Sequence, residues 1–480
     1  MLLSGVLIVS LFGRLLGPIL LGQYLLLRRV VSWIQSGTQL GLGVALPRYV
    51  AHSSDHQNSE RMAYFAGATL SMGAVSGVVL GILLLRRSDF AQVFFGSKQM
   101  SDLILPIGLL IVGLTFHLAV YGYYRGCLLM GRANALEMTN FALAPIITVV
   151  VLFRTHSVVL IVSVMALSMV VSAVAFGTPL FRGMSQVKLS SLRPAVREML
   201  RYGVARVPGE FAGSALFALG PVIATHYLPL SEVSRLLLGL SLLMAISVSV
   251  TPLGTVLLSK VSMMLAKRRD EEVRIRLEQL IAAVLDLSVF GCLQVIAFAD
   301  VLIRTWVGPD YLAGLGVIQL TLLSIPFYLY FVAIRSAIDA ASVVAHNAHN
   351  GYFALGVFLA LTFLAVKAAP SQFLLHGIAL ALVAGNVVLA WLTTRVARDL
   401  FNLRIPWKEC ALPFLVALVL GLVSYAIRHQ LLRNASLGTF MGIEALMTGT
   451  FLWASVIAGA RWLPSFWNLL FEGGLKKVEQ

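Results

Sequence analysis

Seven ionisable residues lie within or at the ends of long apolar stretches, where a charge is costly unless it meets water, a counter-charge or a ligand. They are Arg28, Arg29, Arg48, His117, Arg206, Glu210 and Asp286. Arg206 and Glu210 stand one helical turn apart in RYGVARVPGEFA, residues 201–212. That spacing allows a self-neutralising pair. It equally allows a cation held for an anionic ligand, with Pro208 and Gly209 loosening the helix beside it. Arg28 and Arg29 point about 100° apart on a helix, so either both line a broad solvated face or one snorkels to the headgroups. Asp286 lies deep enough in its stretch to require a proton, water or a partner. It suits a proton or sodium site, or a hydrogen-bonded structural carboxyl. His117 can titrate near neutrality or serve as a satisfied packing residue. Glu137 is a further deep group. Asp300 with Arg304 and Arg335 with Asp339 repeat the one-turn spacing near stretch ends, where ion pairs or loop anchors are expected.

Chemistry of other kinds is missing from the motifs. There is no GxxxxGK[ST] phosphate loop, no HExxH, no His/Cys cluster and no supported Ser/His/Asp set. Neither an enzyme nor a cofactor or metal site is expected. Cys127, Cys292 and Cys410 are far apart and read as core thiols. The net charge of +15 comes from basic residues scattered through short loops, which argues against a nucleic-acid partner.

The elements that carry these residues follow from composition. Hydrophobic residues make up 59% of the 480 and charged residues 12%, about half the charge of a soluble domain. Apolar runs of about 20 residues recur throughout and show no period-two alternation, so they are membrane-spanning helices and not barrel strands. Spans are expected near residues 1–13, 22–46, 63–85, 102–124, 133–153, 157–179, 202–226, 232–259, 277–299, 312–334, 351–369, 373–394, 409–427 and 438–460. The first would rise only about 20 Å, so the expectation is an all-α polytopic membrane protein of about 14 transmembrane helices, or 13 if the first does not span. The basic stretch 182–201 separates a six-helix bundle, 1–181, from a second, 202–400, with two additional helices and a cytoplasmic tail in 401–480. Lys and Arg number 23 in alternate loops against 10 in the others, which places both termini in the cytoplasm of a multi-pass cell (inner) membrane protein. An offset of 211 positions lays Pro18 on Pro229 and Leu25–Leu27 on Leu236–Leu238, a faint internal repeat of the kind found in transporters.

Several segments together resemble the polysaccharide (O-antigen type) flippases of the multidrug, oligosaccharidyl-lipid and polysaccharide exporter superfamily. GRLLGPILLGQY (13–24) is similar to that family's first-loop pattern, and GLGVALPRYVA (41–51) to the end of its second span. TPLGTVLLSKVS (251–262), VLIRTWVGPDYLAG (301–314) and RSAIDAASVVAHNAHNGY (335–352) resemble its eighth span and the flanks of its tenth. The short first span and the Arg28–Arg29 pair depart from the pattern. The resemblance implies two pseudo-symmetric bundles around a central cavity and alternating access. The implied cargo is a polyprenyl-diphosphate-linked glycan, moved to the outer leaflet for lipopolysaccharide, O-antigen or exopolysaccharide synthesis alongside a polymerase and other assembly proteins. Arg28, Arg29, Arg48 and Arg206 would form the cationic substrate site, and Glu210, Asp286 and His117 the coupling or cavity polar groups. The alternative is a cation-coupled small-molecule exporter of the same superfamily, which would favour acidic cavity residues. A membrane enzyme would carry a long extramembrane loop, and a scaffold would tolerate loss of the arginines.

Overall fold

The computed structural model describes residues 2–53, 58–342, 344–403, 407–431 and 437–457. Arg404, Arg433, Arg461, Lys476 and Lys477, used above for orientation, lie outside them, as does the side chain of Cys410. The described elements are helical. In order they are α1 Leu2–Thr38, α2 Leu42–His52, α3 Asn58–Leu85, α4 Arg87–Phe95, α5 Ile104–Gly126, α6 Met130–Met138, α7 Ala144–Leu152, α8 Val158–Met184, α9 Leu189–Gly203 and α10 Val207–Ala224. They continue as α11 Leu230–Val248, α12 Thr251–Ala266, α13 Asp270–Ala297, α14 Ala299–Trp306, α15 Leu315–Leu322, α16 Ile325–Ala341, α17 His346–Ala368, α18 Leu374–Phe401, α19 Trp407–Ala426 and α20 Leu437–Ile457.

Among the described residues, 12 helical stretches are long and apolar enough to cross a membrane, or 13 with the bent pair Pro309–Leu322 and Ile325–Ala341. The first of these, Leu3–Thr38, is not one straight rod. Gly17 has φ 79° and ψ 179°, a backbone conformation that only glycine adopts without strain. Phe12 and Tyr24, which a straight helix would hold about 18 Å apart along its axis, stack with ring centroids 3.9 Å apart. The chain therefore bends sharply at Gly17, and Pro18 starts the next segment, where its missing N–H costs nothing. Counting the arm before Gly17 separately brings the total to about 14, and that arm, about 22 Å long, stays short of the hydrocarbon thickness.

Besides the bent pair, which breaks the span expected at 312–334, two expected spans are broken at matching places. The stretch expected at 22–46 ends at Thr38 and resumes as α2, and that expected at 232–259 divides between α11 and α12. The two breaks fall in nearly the same register under the 211-residue offset. Packing follows the offset too: α2 and α3 pack on α5, and α12 and α13 pack on α16. The stretch 182–201 is largely helical. It contains α9, whose Ala195, Met199 and Gly203 are buried while Arg193, Arg197 and Arg201, one turn apart, are exposed.

Two compact units emerge, one comprising the described residues through Leu238 with Thr362–Ile378, the other Gly239–Leu361 and those from Ala379 on. In the first, Leu42, Leu46 and Val50 of α2, Phe65 and Met72 of α3, Tyr124 of α5 and Met199 of α9 share one core. Gly122 and Gly126 of α5 form a GxxxG face that admits α2 closely: a Cβ on Gly126 would lie 2.7 Å from Val50 Cβ and 2.9 Å from the Pro47 carbonyl oxygen. In the second unit Phe290 of α13 stacks on Phe451 of α20 at 4.3 Å. Large apolar side chains such as Leu167, Leu422 and Trp453 are exposed, as lipid-facing residues are.

Candidate cationic site

The first unit brings two of the four expected arginines together. Arg48 lies on α2, four residues before its end, and Arg206 in the 3₁₀ turn Val204–Arg206 that joins α9 to α10. That turn exists because Pro208 opens α10, a position where proline starts a helix but cannot continue one from α9. Between them stands Tyr202, the penultimate residue of α9. The Arg206 guanidinium carbon lies 3.8 Å from the Tyr202 ring centroid, and that of Arg48 4.6 Å from the same centroid. Each cation is thus held by the ring's negative face, which concentrates two positive charges around one aromatic group. Arg206 Nη1 also donates to the Tyr202 carbonyl at 2.9 Å, fixing its stem.

A backbone contact sets this geometry. Gly41 closes the α1–α2 turn with φ 67°, and a Cβ there would fall 2.3 Å from the Gly203 carbonyl oxygen. A Cβ on Gly203 would fall 2.4 Å from the Leu40 carbonyl oxygen. Only with glycine on both sides can the start of α2 meet the end of α9 so closely.

Glu210 is also bound from α1. Gln39 Nε2 donates to Glu210 Oε2 at 2.6 Å, and Trp33 packs on Phe211 at 5.2 Å, so the end of α1 grips the start of α10. Arg206 is directed to Tyr202. Arg28 is exposed on α1, 5.6 Å from the Tyr24 ring. Together with Arg29 it stands on α1 apart from the Arg48–Tyr202–Arg206 group.

His117 is buried on α5. Asn140 Nδ2 donates to its Nδ1 at 2.9 Å, and the Ser172 hydroxyl donates to Asn140 Oδ1. Asn140 sits in a π-helical turn, Thr139–Leu143, that turns it inward. The bonds hold the Nδ1 edge of His117 inside the bundle. Asp286 is buried at 1% exposure on α13, in the second unit. Asp300 is held not by Arg304 alone but by Arg428, 128 positions away. Arg428 Nε donates to Oδ1 at 3.0 Å and Nη2 to Oδ2. Asp339 accepts from Asn347 Nδ2 at 2.9 Å, which also donates to the Arg335 carbonyl; Arg335 lies over Phe331.

Beside Arg48, a cavity of about 410 Å³ is lined by Arg48, Tyr49, His52, Ser53, Glu60, Tyr64 and Glu198. The Tyr64 hydroxyl lies 2.9 Å from Glu198 Oε2 and 3.4 Å from Glu60 Oε1. Sequence reasoning passed over Tyr202 and these carboxylates. One signal was available: Glu198 is the single acidic residue in the basic stretch 182–201. A larger groove of about 760 Å³ runs along α9 past Arg193, Arg197 and Arg201, but its lining comes from one helix.

The described residues thus form a polytopic helical bundle in which an exposed arginine, Arg48, and a half-buried one, Arg206, flank a single tyrosine ring. The chain belongs to the polysaccharide biosynthesis protein family, whose model matches residues 2–263. It is 21% identical over 458 residues to the stage V sporulation protein B of Bacillus subtilis (strain 168), covering 88% of this chain and 86% of that one. Its fold matches the inward closed conformation of the lipid II flippase MurJ at TM-score 0.74 and 12% identity, over 97% of each chain. It also matches an inward-facing multidrug resistance MATE family transporter of the MOP superfamily at TM-score 0.64 and 16% identity, over 82% of this chain and 93% of that one. At these identities the structural likeness speaks for the fold.

Proposed function

We propose that this protein moves a polyprenyl-diphosphate-linked oligosaccharide from the cytoplasmic to the outer leaflet of the cell membrane, by alternating access, for cell-surface polysaccharide synthesis. One observation carries the reading: Arg48 and Arg206 share the Tyr202 ring. A diphosphate crossing hydrocarbon needs replacements for its water, and two planar guanidiniums supply fork-shaped donors matched to phosphate oxygens. The mutual repulsion of the cations is relieved when the dianion arrives, so the site favours the loaded state. Release follows when the outward arrangement separates them, because a carrier works through unequal affinity in two states. Both termini are taken as cytoplasmic, which puts the basic face of α9 on the side where the cargo is made.

The MATE likeness supports a second reading, export of a small amphipathic drug. Such cargo is commonly cationic, and a paired-arginine site repels it. The test is Arg206→Ala in the host, with lipid-linked glycans quantified by mass spectrometry and their leaflet assessed by accessibility. The expected outcome is completed repeat units accumulating on the cytoplasmic face, surface glycan lost and protein level unchanged. Normal glycan output from that variant refutes the assignment, and altered drug tolerance with normal glycan supports the exporter.

A further inference from the structure

We infer that the cavity beside Arg48 is a saccharide subsite, which takes the sugar joined directly to the diphosphate held by Arg48 and Arg206. The inference rests on the proposed flipping of a diphosphate-linked glycan and deepens it. Arg48 belongs to both places: its guanidinium lies over Tyr202 and it also lines the cavity. A ligand anchored by phosphate at the arginines therefore has its next chemical group directed into the cavity.

What that group must be follows from the walls. Glu60 and Glu198 are acceptors only, with about four lone-pair positions each. The Tyr64 hydroxyl has one proton and lies nearer Glu198, at 2.9 Å against 3.4 Å from Glu60. Most of the acceptor capacity of the two carboxylates is thus left to the cavity. Phosphate would be repelled there, and a metal cation would face the charge of Arg48 in the same wall. A neutral group rich in O–H and N–H donors meets neither objection. Tyr49 and Tyr64, stacked at 5.3 Å with 28° between their planes, add an apolar surface for the C–H face of a ring. The volume of about 410 Å³ falls in the range of small-ligand pockets. Donor-rich edges and an apolar face on a ring next to diphosphate describe a sugar.

The experiment uses the full chain in lipid nanodiscs and measures equilibrium binding of two probes. One is farnesyl diphosphate; the other is farnesyl diphosphate bearing a single N-acetylglucosamine. The protein is expected to prefer the glycosylated probe by about tenfold, the equivalent of one hydrogen bond to a charged acceptor. Glu198→Gln and Glu60→Gln retain an acceptor for Tyr64 and so keep the fold. Together they should remove most of that preference while leaving farnesyl diphosphate affinity within about twofold, and this unchanged affinity certifies the variants as folded. An undiminished preference in the Glu60→Gln/Glu198→Gln double variant overturns the subsite, as does a sodium dependence of binding that the variants abolish without touching the preference. Farnesyl diphosphate binding that Arg206→Ala leaves intact would instead bring down the diphosphate reading, and the subsite with it.

Discussion

Replacing Gly203 by alanine reverses the usual sign of a glycine-to-alanine change in a helix. Gly203 is the last residue of α9, and by helix propensity alone alanine should stabilise by up to about 1 kcal/mol. The added methyl, however, would lie 2.4 Å from the Leu40 carbonyl oxygen and 3.2 Å from the Gly41 carbonyl carbon. Carbon and carbonyl oxygen rest at about 3.3 Å or more, so the α1–α2 turn and the end of α9 must part by about 1 Å. Neither contact is the tip of a flexible side chain that could swing away. Forced separation of packed elements costs about 1–3 kcal/mol, which outweighs the propensity gain. The matched control is Gly213→Ala in α10, where a Cβ meets no atom within 4 Å and the propensity term should act alone. Thermostability in detergent, read by size exclusion after heating, is expected to rank Gly213→Ala at or above the parent and Gly203→Ala below it. Gly41→Ala carries the same clash from the other side, 2.3 Å from the Gly203 oxygen, together with a left-handed backbone that costs a β-carbon about 1–2 kcal/mol. Because either methyl already opens the contact, the double variant should lose less than the two losses combined. Export should fall in all three, since Tyr202 moves away from Arg48. A Gly203→Ala protein as stable and as active as Gly213→Ala would refute the claim that this contact assembles the site.

Two further variants probe the polar contacts buried in each unit. Asp300→Asn removes the carboxylate that Arg428 grips with two donors, where the arginine side chain is only 6% exposed, and should cost about 3–5 kcal/mol. Burial alone would raise the Asp300 carboxyl pKa, but the hydrogen bonds and charge of Arg428 outweigh it and hold it below its ordinary value. Its stabilisation is therefore complete above the unfolded value of about 3.9 and is lost as pH falls through the lower folded one, so the stability gap between parent and Asp300→Asn should close on acidification. Asn140→Leu strips the donor from buried His117, while Ser172 can fall back on the Met169 carbonyl at 3.0 Å. The loss should be about 1–3 kcal/mol, measured by thermostability, and a neutral outcome would show that His117 does not depend on that bond.

The spans were legible because lipid leaves the backbone no choice but long apolar helices, and a run such as 104–126 has no competing reading. Arg48 and Arg206 were legible as misplaced charges for the same reason. Their meeting was not, because it is made by Gly41 and Gly203, which add nothing to a hydropathy pattern and lie far apart in sequence. Local spacing left partners in two places unseen. Arg206 and Glu210 have the geometry to bridge on an ideal helix, but the turn ahead of Pro208 aims the arginine back at Tyr202, and Gln39 reaches Glu210 first. Asp300 likewise has Arg304 one turn along, yet Arg428 presents a fork that α14 alone cannot supply.

The internal repeat sharpens what the glycine contact does. Each unit contains a helix interruption at a matching register, followed by a helix that packs on a later one, α2 on α5 and α12 on α16. In the first unit the interruption ends in Gly41, and the close approach of α9 becomes possible. In the second the intervening residues are Ser249 and Val250, and a β-carbon at either would obstruct a backbone contact of that kind. The close approach in the second unit lies instead at Gly254, where a Cβ would fall 2.8 Å from Ser336 Oγ of α16. The same broken span thus serves packing in one unit and builds a cation pair in the other. On the proposed function that inequality matters, because a charge site repeated in both units would hold a single diphosphate in two competing places.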